Sequence, residues 1–280
     1  MREITAAQVT ETVARLCIEA NTDAGPDIVA ALERAKVYET EETPRQVLDT
    51  LLQNAIIAQK DRMPICQDTG MAVVFAELGQ DVRITGGALD DAVNEGVRRG
   101  YRDGYLRNSV VRDPVRRDNT GDNTPAVIHY SVVPGGKLTL TVAPKGFGSE
   151  NMSAVKMLKP SDGLTGLEHF VLEAVQTAGG NPCPPVIVGV GAGGTFELAA
   201  LLAKKALLRN VGTANADPFW DETERRLLNA LNSLDIGPGG FGGKTTALAV
   251  HIIPYATHIA GLPVAVNIGC HVTRHKRAAL

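Results

Sequence analysis

The chain has 280 residues, of which 44% are hydrophobic and 21% charged, and its formal net charge is -3. A chain of this length and composition buries a sizeable core, as soluble globular proteins do. The small negative charge provides no long-range attraction for nucleic acid or for an anionic membrane, so we expect neither as a partner. The one basic cluster, residues 274–277, is short, and we interpret it as a solvated tail or a subunit contact.

The first residues predict neither secretion nor membrane insertion. Residues 1–25 mix apolar and polar side chains as an amphipathic helix does, without the apolar core of a signal peptide. No later segment is an uncharged apolar run of about 18 residues. Four cysteines are too few for a disulfide framework, which agrees with a reducing compartment. We therefore expect a cytoplasmic protein.

The first fifth of the chain predicts helices. Between residues 4 and 60 apolar side chains recur at three- and four-residue steps. Thr43 before Pro44 is typical of an N-cap followed by proline in the first helical turn. We expect residues 1–60 to form a helical layer of a single domain that covers residues 1–280.

After Asp61 the pattern changes to short β-branched runs separated by turns. MAVVFAEL, AVIHYSVV and KLTLTVAP each predict a strand, and the PGG turn at residues 134–136 predicts a hairpin between the last two. Residues 88–104 have helical spacing. This part is therefore predicted to be a mixed sheet with helices.

The second half of the chain continues the mixed pattern. PPVIVGVG predicts a buried strand that leads directly into the helix GGTFELAALLAKKALL. DPFWDETERRLLNALNSL predicts another helix with Asp217 as its cap. The closing segment, residues 245–270, is rich in valine and isoleucine. The fold class is therefore mixed α/β (α+β), a helical N-terminal layer followed by a mixed sheet with helices.

Three of the four cysteines lie beside turns that contain glycine or proline. Cys66 lies in PICQDTG, Cys183 in GGNPCPPVIVGVG and Cys270 in AVNIGCHVTRHK. Two interpretations remain open: scattered core thiols, or a shared iron–sulfur site on turns that approach a cluster closely. The long intervals exclude a zinc ribbon and the compact ferredoxin spacing. Cys17, on the apolar face of the first helix, is interpreted as a small buried thiol.

The number of these cysteines bears on what a shared cluster would do. Three thiolates are one short of the set that completes an electron-transfer cluster. An iron left without a protein ligand is able to bind water or substrate and to act as a Lewis acid. The count therefore favours a catalytic site over an electron-transfer site.

Several polar residues near these cysteines have two interpretations each. Gln67 places an amide at the rim of a cluster site, and Asp68 either supports proton transfer or caps the turn at Thr69 and Gly70. Arg107, in GYLRNSVV, either binds a carboxylate in bidentate fashion or is an ordinary surface arginine. His258 precedes Cys270 on one segment and is a candidate proton donor or carboxylate partner.

The remaining histidines and the glycine-rich segments have simpler interpretations. KGFGSEN, residues 145–151, forms either an anion nest or a tight turn. GVGAGGTFELAA and GPGGFGGKTTA miss the dinucleotide and P-loop spacings, so we attribute their glycines to close packing around a cofactor or at a subunit boundary. The histidines outside the candidate site are interpreted as structural or as part of the tail: His129, His169 and His251 as structural, His271 and His275 as tail.

Six segments together resemble the alpha region of class I, iron–sulfur fumarate hydratases and L(+)-tartrate dehydratases: PICQDTG, YLRNSVV, KGFGSEN, NPCPPVIVGVGAGG, GGKTTALAVH and THIAGLPVAVNIGC. The resemblance covers about residues 4–275. It implies a 4Fe–4S cluster on Cys66, Cys183 and Cys270, whose open iron binds substrate. Single-chain members have a second domain with further arginines, a lysine and a threonine proposed as base, which implies a separate beta subunit here.

The resemblance also implies a reaction and its site residues. We expect a hydro-lyase that interconverts fumarate and L-malate, a step of the tricarboxylic acid cycle, as an alpha2-beta2 hetero-oligomer that is active only with the beta subunit. Some members have glycine where Phe147 stands, so the backbone group of that loop that touches substrate stays open. The alternatives are an L(+)-tartrate dehydratase alpha subunit and a non-catalytic, cluster-bearing redox or assembly protein. Asp68 and His258 are the implied catalytic residues, and the implied contacts to the dicarboxylate are Gln67, Asp68, Arg107, Gly146, Gly148 and His258.

Overall fold

Helices and strands alternate along the chain much as the apolar patterns predict. The computed structural model describes residues 2–280. The helices are α1 (Ala6–Thr22), α2 (Pro26–Tyr38), α3 (Glu42–Asp61), α4 (Leu89–Asp103), the short α5 (Phe147–Glu150), α6 (Gly163–Ala178), α7 (Phe196–Ala206) and α8 (Pro218–Asn232). The strands are β1 (Arg2–Thr5), β2 (Met71–Gly79), β3 (Val82–Thr85), β4 (Val127–Val133), β5 (Leu138–Lys145), β6 (Ala154–Leu158), β7 (Val186–Gly193), β8 (Ala247–Tyr255), β9 (Leu262–Gly269) and β10 (Lys276–Ala279). The mixed α/β class is confirmed.

The chain forms two compact units, each assembled from separate segments. Unit 1 combines residues 2–25, Ala55–Phe147 and Arg274–Leu280, and unit 2 combines Pro26–Asn54 with Gly148–Thr273. The predicted helical layer is thus divided, since α1 belongs to unit 1 and α2 to unit 2. The prediction of one domain over residues 1–280 stays a prediction. Within residues 2–280, none of the helices combines the length and the apolar character that crossing a bilayer requires.

Unit 1 is built on a four-stranded sheet in the order β10-β5-β2-β4. The predicted hairpin at residues 134–136 is wrong, because β2 lies between β4 and β5, parallel to the first and antiparallel to the second. Burial explains this order. β2 is mostly buried and takes a central position, whereas β4 is largely exposed and forms an edge. A smaller parallel sheet pairs β1 with β3.

Two helix starts differ from the sequence prediction. Residues 2–5 form a strand, and α1 begins only at Ala6, where Thr5 and Gln8 form a capping box. α3 begins at Glu42, so Thr43 lies inside its first turn and is not the N-cap that was predicted. The Asp217 cap of α8 is confirmed, since its carboxylate accepts the Phe219 N–H at 3.0 Å.

Unit 2 is a sheet in the order β6-β9-β7-β8 with helices on both faces. Every residue of β7 is buried. Val188 and Val190 pack with α6 and α8 in the largest apolar cluster of this unit. On the opposite face a Cβ at Gly189 would lie 2.2 Å from Ala203 O of α7. Gly189 and Gly191 therefore admit the backbone of a helix, and neither a cofactor nor a subunit boundary is needed to explain them.

The basic cluster near residue 275 is part of unit 1, so its interpretation as a solvated tail is wrong. β10 pairs with β5 in antiparallel register. Lys276 Nζ lies 2.5 Å from Asp23 Oδ2, and Arg277 Nη2 lies 2.6 Å from Glu77 Oε2. Arg274 is only 6% exposed. Lys276 and Arg277 thus pair with carboxylates inside the unit, and Arg274 is buried there, which a tail in solvent would not show.

The close approach of β7 and α7 predicts a strong effect of one methyl group. A Cβ at Gly191 would lie 2.0 Å from Ala199 O, so Gly191→Ala should lower the free energy of unfolding by about 3 kcal/mol. Gly261→Ala in the same unit is the matched control, because its nearest neighbour would lie at 3.9 Å. Urea unfolding followed by circular dichroism measures both. Equal stability of the two variants would contradict this packing.

Candidate active site

Cys66 begins a tight loop between α3 and β2, which we call the Cys66 loop (residues 66–70). The Cys66 thiol donates to Gln67 Oε1 at 3.4 Å, and the Asp68 N–H points to Cys66 Sγ at the same distance. Cys66 is partly exposed. The two residues after Cys66 thus lie around its sulfur, and their place at the rim of a ligand site stays a prediction.

Asp68 is fixed by backbone donors on both carboxylate oxygens. Oδ1 accepts the Gly70 N–H at 3.0 Å, which confirms the turn-capping interpretation, and Oδ2 accepts the Phe147 N–H at 2.8 Å. A Cβ at Gly146 would lie 3.1 Å from Oδ2, so glycine at that position leaves room for the carboxylate. Unit 1 therefore brings Asp68 together with the start of the KGFGSEN loop. Gly148 belongs to unit 2.

Three buried side chains donate hydrogen bonds to the carbonyl groups of the Cys66 loop. Tyr101 Oη donates to Thr69 O and Gly70 O, both at 2.9 Å, and Asn123 Nδ2 donates to Gly70 O at 3.2 Å. Arg274 Nη2 donates to Asp68 O at 2.5 Å. Desolvation by burial raises the pKa of the Tyr101 phenol, so it stays a donor.

Sequence reasoning missed these three donors. Tyr101 lies on the apolar face of the helix predicted over residues 88–104, and that placement already indicates a buried ring. Its hydroxyl partners, and those of Asn123 and Arg274, come from segments far apart in the chain, and no local pattern indicates them.

The backbone of Arg107 is fixed by hydrogen bonds, and its side chain is exposed to solvent. Its N–H donates to Thr69 Oγ1 at 2.9 Å, and the same hydroxyl donates to Arg107 O at 3.3 Å. The side chain is exposed. Its guanidinium has no hydrogen-bond or ion-pair partner among residues 2–280. The backbone of Arg107 is thus held next to the Cys66 loop, and the planar fork of an exposed guanidinium is suited to a carboxylate ligand.

In unit 2, His271 joins the segments that contain the other two cysteines. Cys183 is exposed, has a φ of 56° and precedes a proline, while Cys270 is partly exposed at the end of β9. His271 N and Nδ1 lie 3.4 and 3.0 Å from Cys183 O. The Cys270 carbonyl accepts the Thr273 hydroxyl at 2.8 Å. His271 is therefore part of the folded structure that connects these two segments, and its assignment to a tail was wrong.

His258 lies in the exposed turn between β8 and β9. Its Nδ1 accepts the Ala260 N–H at 3.1 Å, and its carbonyl accepts the Gly261 N–H at 2.9 Å. A neutral imidazole whose Nδ1 is an acceptor has its proton on Nε2. The turn thus presents His258 as a hydrogen-bond donor through Nε2.

The thiols divide into one buried group and three accessible ones. Cys17 is 0% exposed, and desolvation raises its pKa to about 12, so it stays protonated as a core residue. None of the four cysteines forms a disulfide. Across residues 2–280 no three His, Cys, Asp or Glu side chains are already grouped as a metal site. Cys66, Cys183 and Cys270 fit an iron–sulfur cluster in donor type, because accessible thiolates on turns are its usual ligands.

The structural interpretation of His251 agrees with its surroundings. It is 2% exposed in β8, and its Nδ1 lies 3.2 Å from Ala206 O. Desolvation, aided by the positive charge of Arg209, lowers its pKa to about 4. His129 is partly buried, and its ring centroid lies 5.2 Å from that of Phe75. His169, by contrast, is exposed on α6.

The family of the chain follows from a match over almost its whole length. The family model described as fumarate hydratase (Fumerase) matches residues 10–279. The chain belongs to this family of hydro-lyases, which confirms the resemblance that the motifs predict.

Individual relatives carry more specific names. The chain is 40% identical over 272 residues to the putative L(+)-tartrate dehydratase subunit alpha of Methanocaldococcus jannaschii, with 95% of both chains covered. It is 34% identical over 276 residues to the L(+)-tartrate dehydratase subunit alpha of Escherichia coli strain UTI89, covering 98% of this chain and 90% of that one. The K12 protein of the same name is 33% identical over the same coverage. These relatives are dehydratases named as alpha subunits, a name that implies a partner subunit.

The lowered pKa of His251 predicts a pH dependence of stability. Between its usual pKa of 6.5 and about 4 the unfolded chain binds the proton and the folded chain does not. Stability present above pH 6.5 is therefore lost as the pH falls towards 4, by a total on the order of 3 kcal/mol. His251→Gln should flatten this slope in urea unfolding at several pH values, while the exposed-site control His169→Gln should keep it. A wild-type slope in His251→Gln would refute the assignment.

Proposed function

We propose that this chain is the alpha subunit of an iron–sulfur hydro-lyase that hydrates fumarate reversibly to L-malate. The observation that supports it most is the Cys66 loop. In one unit of a fumarate hydratase family member, this loop combines an accessible thiol, a carboxylate with both oxygens held by backbone N–H groups, and the adjacent guanidinium of Arg107. These are the groups that binding and dehydrating a hydroxy-dicarboxylate requires.

We assign the cluster to Cys66, Cys183 and Cys270 as a 4Fe–4S group. When bound, such a cluster supplies an iron without a protein ligand, which acts as a Lewis acid on the substrate hydroxyl. The Asp68 N–H at 3.4 Å from Cys66 Sγ would stabilise the thiolate. His271 would keep the Cys183 and Cys270 segments in register.

The chain's own residues have separate tasks in this proposal. Arg107 binds a substrate carboxylate in bidentate fashion, and the Gln67 amide orients it. Asp68 uses one lone pair on each oxygen for Gly70 and Phe147, so further lone pairs remain for the substrate hydroxyl. His258 donates from Nε2 to a carboxylate or to the departing hydroxyl. Gly146 and Gly148 belong to the KGFGSEN segment, where a larger side chain would take up room that the substrate needs.

A second substrate is favoured by the relatives. The Methanocaldococcus jannaschii and Escherichia coli proteins are named as L(+)-tartrate dehydratase alpha subunits, at 40% and 34% identity. Tartrate differs from malate by one hydroxyl group, and a site built to hydrogen-bond that hydroxyl would strongly disfavour malate. L(+)-tartrate is therefore the second candidate substrate.

The proposal includes a partner and a compartment. We propose that a separate beta subunit supplies the base for the C–H proton, that the active assembly is alpha2-beta2, and that it is cytoplasmic. The relatives' designation as alpha subunits supports the first part. The exposed Arg107 and His258 side chains agree with a site that a partner completes.

The cluster assignment predicts metal content that depends on particular thiols. After anaerobic reconstitution the wild type should contain about four irons and four acid-labile sulfides per chain. Cys183→Ser should lose most of both, whereas Cys17→Ser should keep them because Cys17 is buried in the unit 1 core. Iron and sulfide analysis with absorption spectroscopy measures this. A wild type without iron, or a full cluster in Cys183→Ser, would exclude the proposed ligand set.

The role of Arg107 predicts a loss in substrate binding. In the complex co-expressed with its beta subunit, Arg107→Gln should lower kcat/KM for the preferred dicarboxylate by about 10- to 100-fold, since a charge-assisted contact is lost. Arg116→Gln, an exposed arginine nearby, should have no effect. Kinetics on L-malate and L(+)-tartrate side by side identify the substrate. A complex with a full cluster that dehydrates neither would favour the redox-sensor alternative.

A further inference from the structure

Arg274 is a buried cation without a counter-ion. It is 6% exposed, its Nη2 donates to Asp68 O at 2.5 Å, and its Nε is buried with no partner. Within residues 2–280 no carboxylate forms an ion pair with it. Burying a guanidinium that lacks a compensating charge costs stability. This cost indicates that Arg274, next to the Cys66 loop, has a role other than stabilising the fold.

The position of Arg274 indicates that it helps to fix the Cys66 loop. Together with Tyr101 and Asn123 it holds the carbonyls of three successive residues, 68–70, towards the interior of unit 1. Because these carbonyls are fixed, the peptide groups of the loop have little freedom to rotate. The Asp68 carbonyl and carboxylate are both fixed, and its N–H meets Cys66 Sγ.

We propose that Arg274 is a positioning residue of the candidate site. Its guanidinium fixes the Cys66 loop so that the Asp68 N–H donates to the Cys66 sulfur, and its charge offsets the negative charge of a cluster bound to that thiolate. Hydrogen bonds to cluster sulfurs and nearby charge set how firmly a cluster is held and how easily it is reduced. The second part of this inference rests on the proposed function; the first concerns the chain alone.

A different role, anchoring β10, is assigned by the structure to Arg277. Its side chain is 62% exposed and pairs with Glu77 of β2. Arg277→Gln therefore removes a charge from the same segment without touching the Cys66 loop. It is the matched control for Arg274→Gln.

Hydrogen exchange tests the positioning without a cluster. In the full-length chain purified without iron, Arg274→Gln should speed amide exchange in peptides covering residues 66–70 on the order of tenfold, because a buried charge-assisted hydrogen bond is lost. Peptides from β9 in unit 2 should exchange as in wild type, and Arg277→Gln should leave residues 66–70 unchanged. Wild-type exchange of the loop in Arg274→Gln, or equal acceleration throughout the chain, would overturn the inference.

Cluster properties test the electrostatic part. In the reconstituted chain Arg274→Gln should lose iron to a chelator on the order of tenfold faster than wild type. Its midpoint potential should shift to a lower value, since removing a positive charge disfavours the reduced cluster. Arg277→Gln should match wild type in both. An unchanged potential and unchanged iron loss would overturn this part, whereas a wild type that takes up no iron would refute the proposed function and leave the exchange result standing.

Arg274→Lys provides the second variant if the glutamine protein does not fold. Lysine keeps the charge but loses the planar fork. We expect its loop exchange to lie above that of wild type and its midpoint potential to stay close to the wild-type value. Wild-type loop exchange in Arg274→Lys would overturn the role of the guanidinium.

Discussion

The hydrogen bonds that hold the carbonyls of residues 68–70 determine the geometry of the candidate site in unit 1. A buried carbonyl without a partner is costly, so the loop keeps the conformation in which Tyr101, Asn123 and Arg274 satisfy all three. That conformation places the Asp68 carboxylate under two backbone N–H groups and turns its own N–H to the Cys66 sulfur. Hydrogen bonds from the core thus fix the main chain of the Cys66 loop. The main chain in turn positions the Asp68 carboxylate and the Cys66 sulfur.

In unit 2, close packing fixes the central strand. Gly189 and Gly191 of β7 admit the backbone of α7, so this strand is tightly packed directly after the Cys183 turn. His271 then ties that turn to the end of β9. Cys183 and Cys270 thus lie on segments that closely packed strands hold in place, one just before β7 and the other directly after β9.

Local patterns predicted the elements well and their partners poorly. Continuous apolar runs indicated β2 and β7, helical spacing indicated α4, and the assignment of three cysteines as cluster ligands stays a prediction. The β4–β5 hairpin failed because a turn signal says nothing about a third strand that inserts between its arms. The basic segment near residue 275 failed for a similar reason: its acceptors, Asp23 and Glu77, lie some two hundred or more residues earlier, beyond any sequence window.

The segmented make-up of unit 1 has a consequence for synthesis on the ribosome. Its sheet needs β10 and its Cys66 loop needs Arg274, and both are translated after all of unit 2. Chains generally fold from the N-terminus as they emerge. Here the edge of β5 and the Asp68 carbonyl lack these partners until residues 274–279 have been translated. Unit 1, including the buried donor that Arg274 provides to the Cys66 loop, is therefore complete only after these residues have been made.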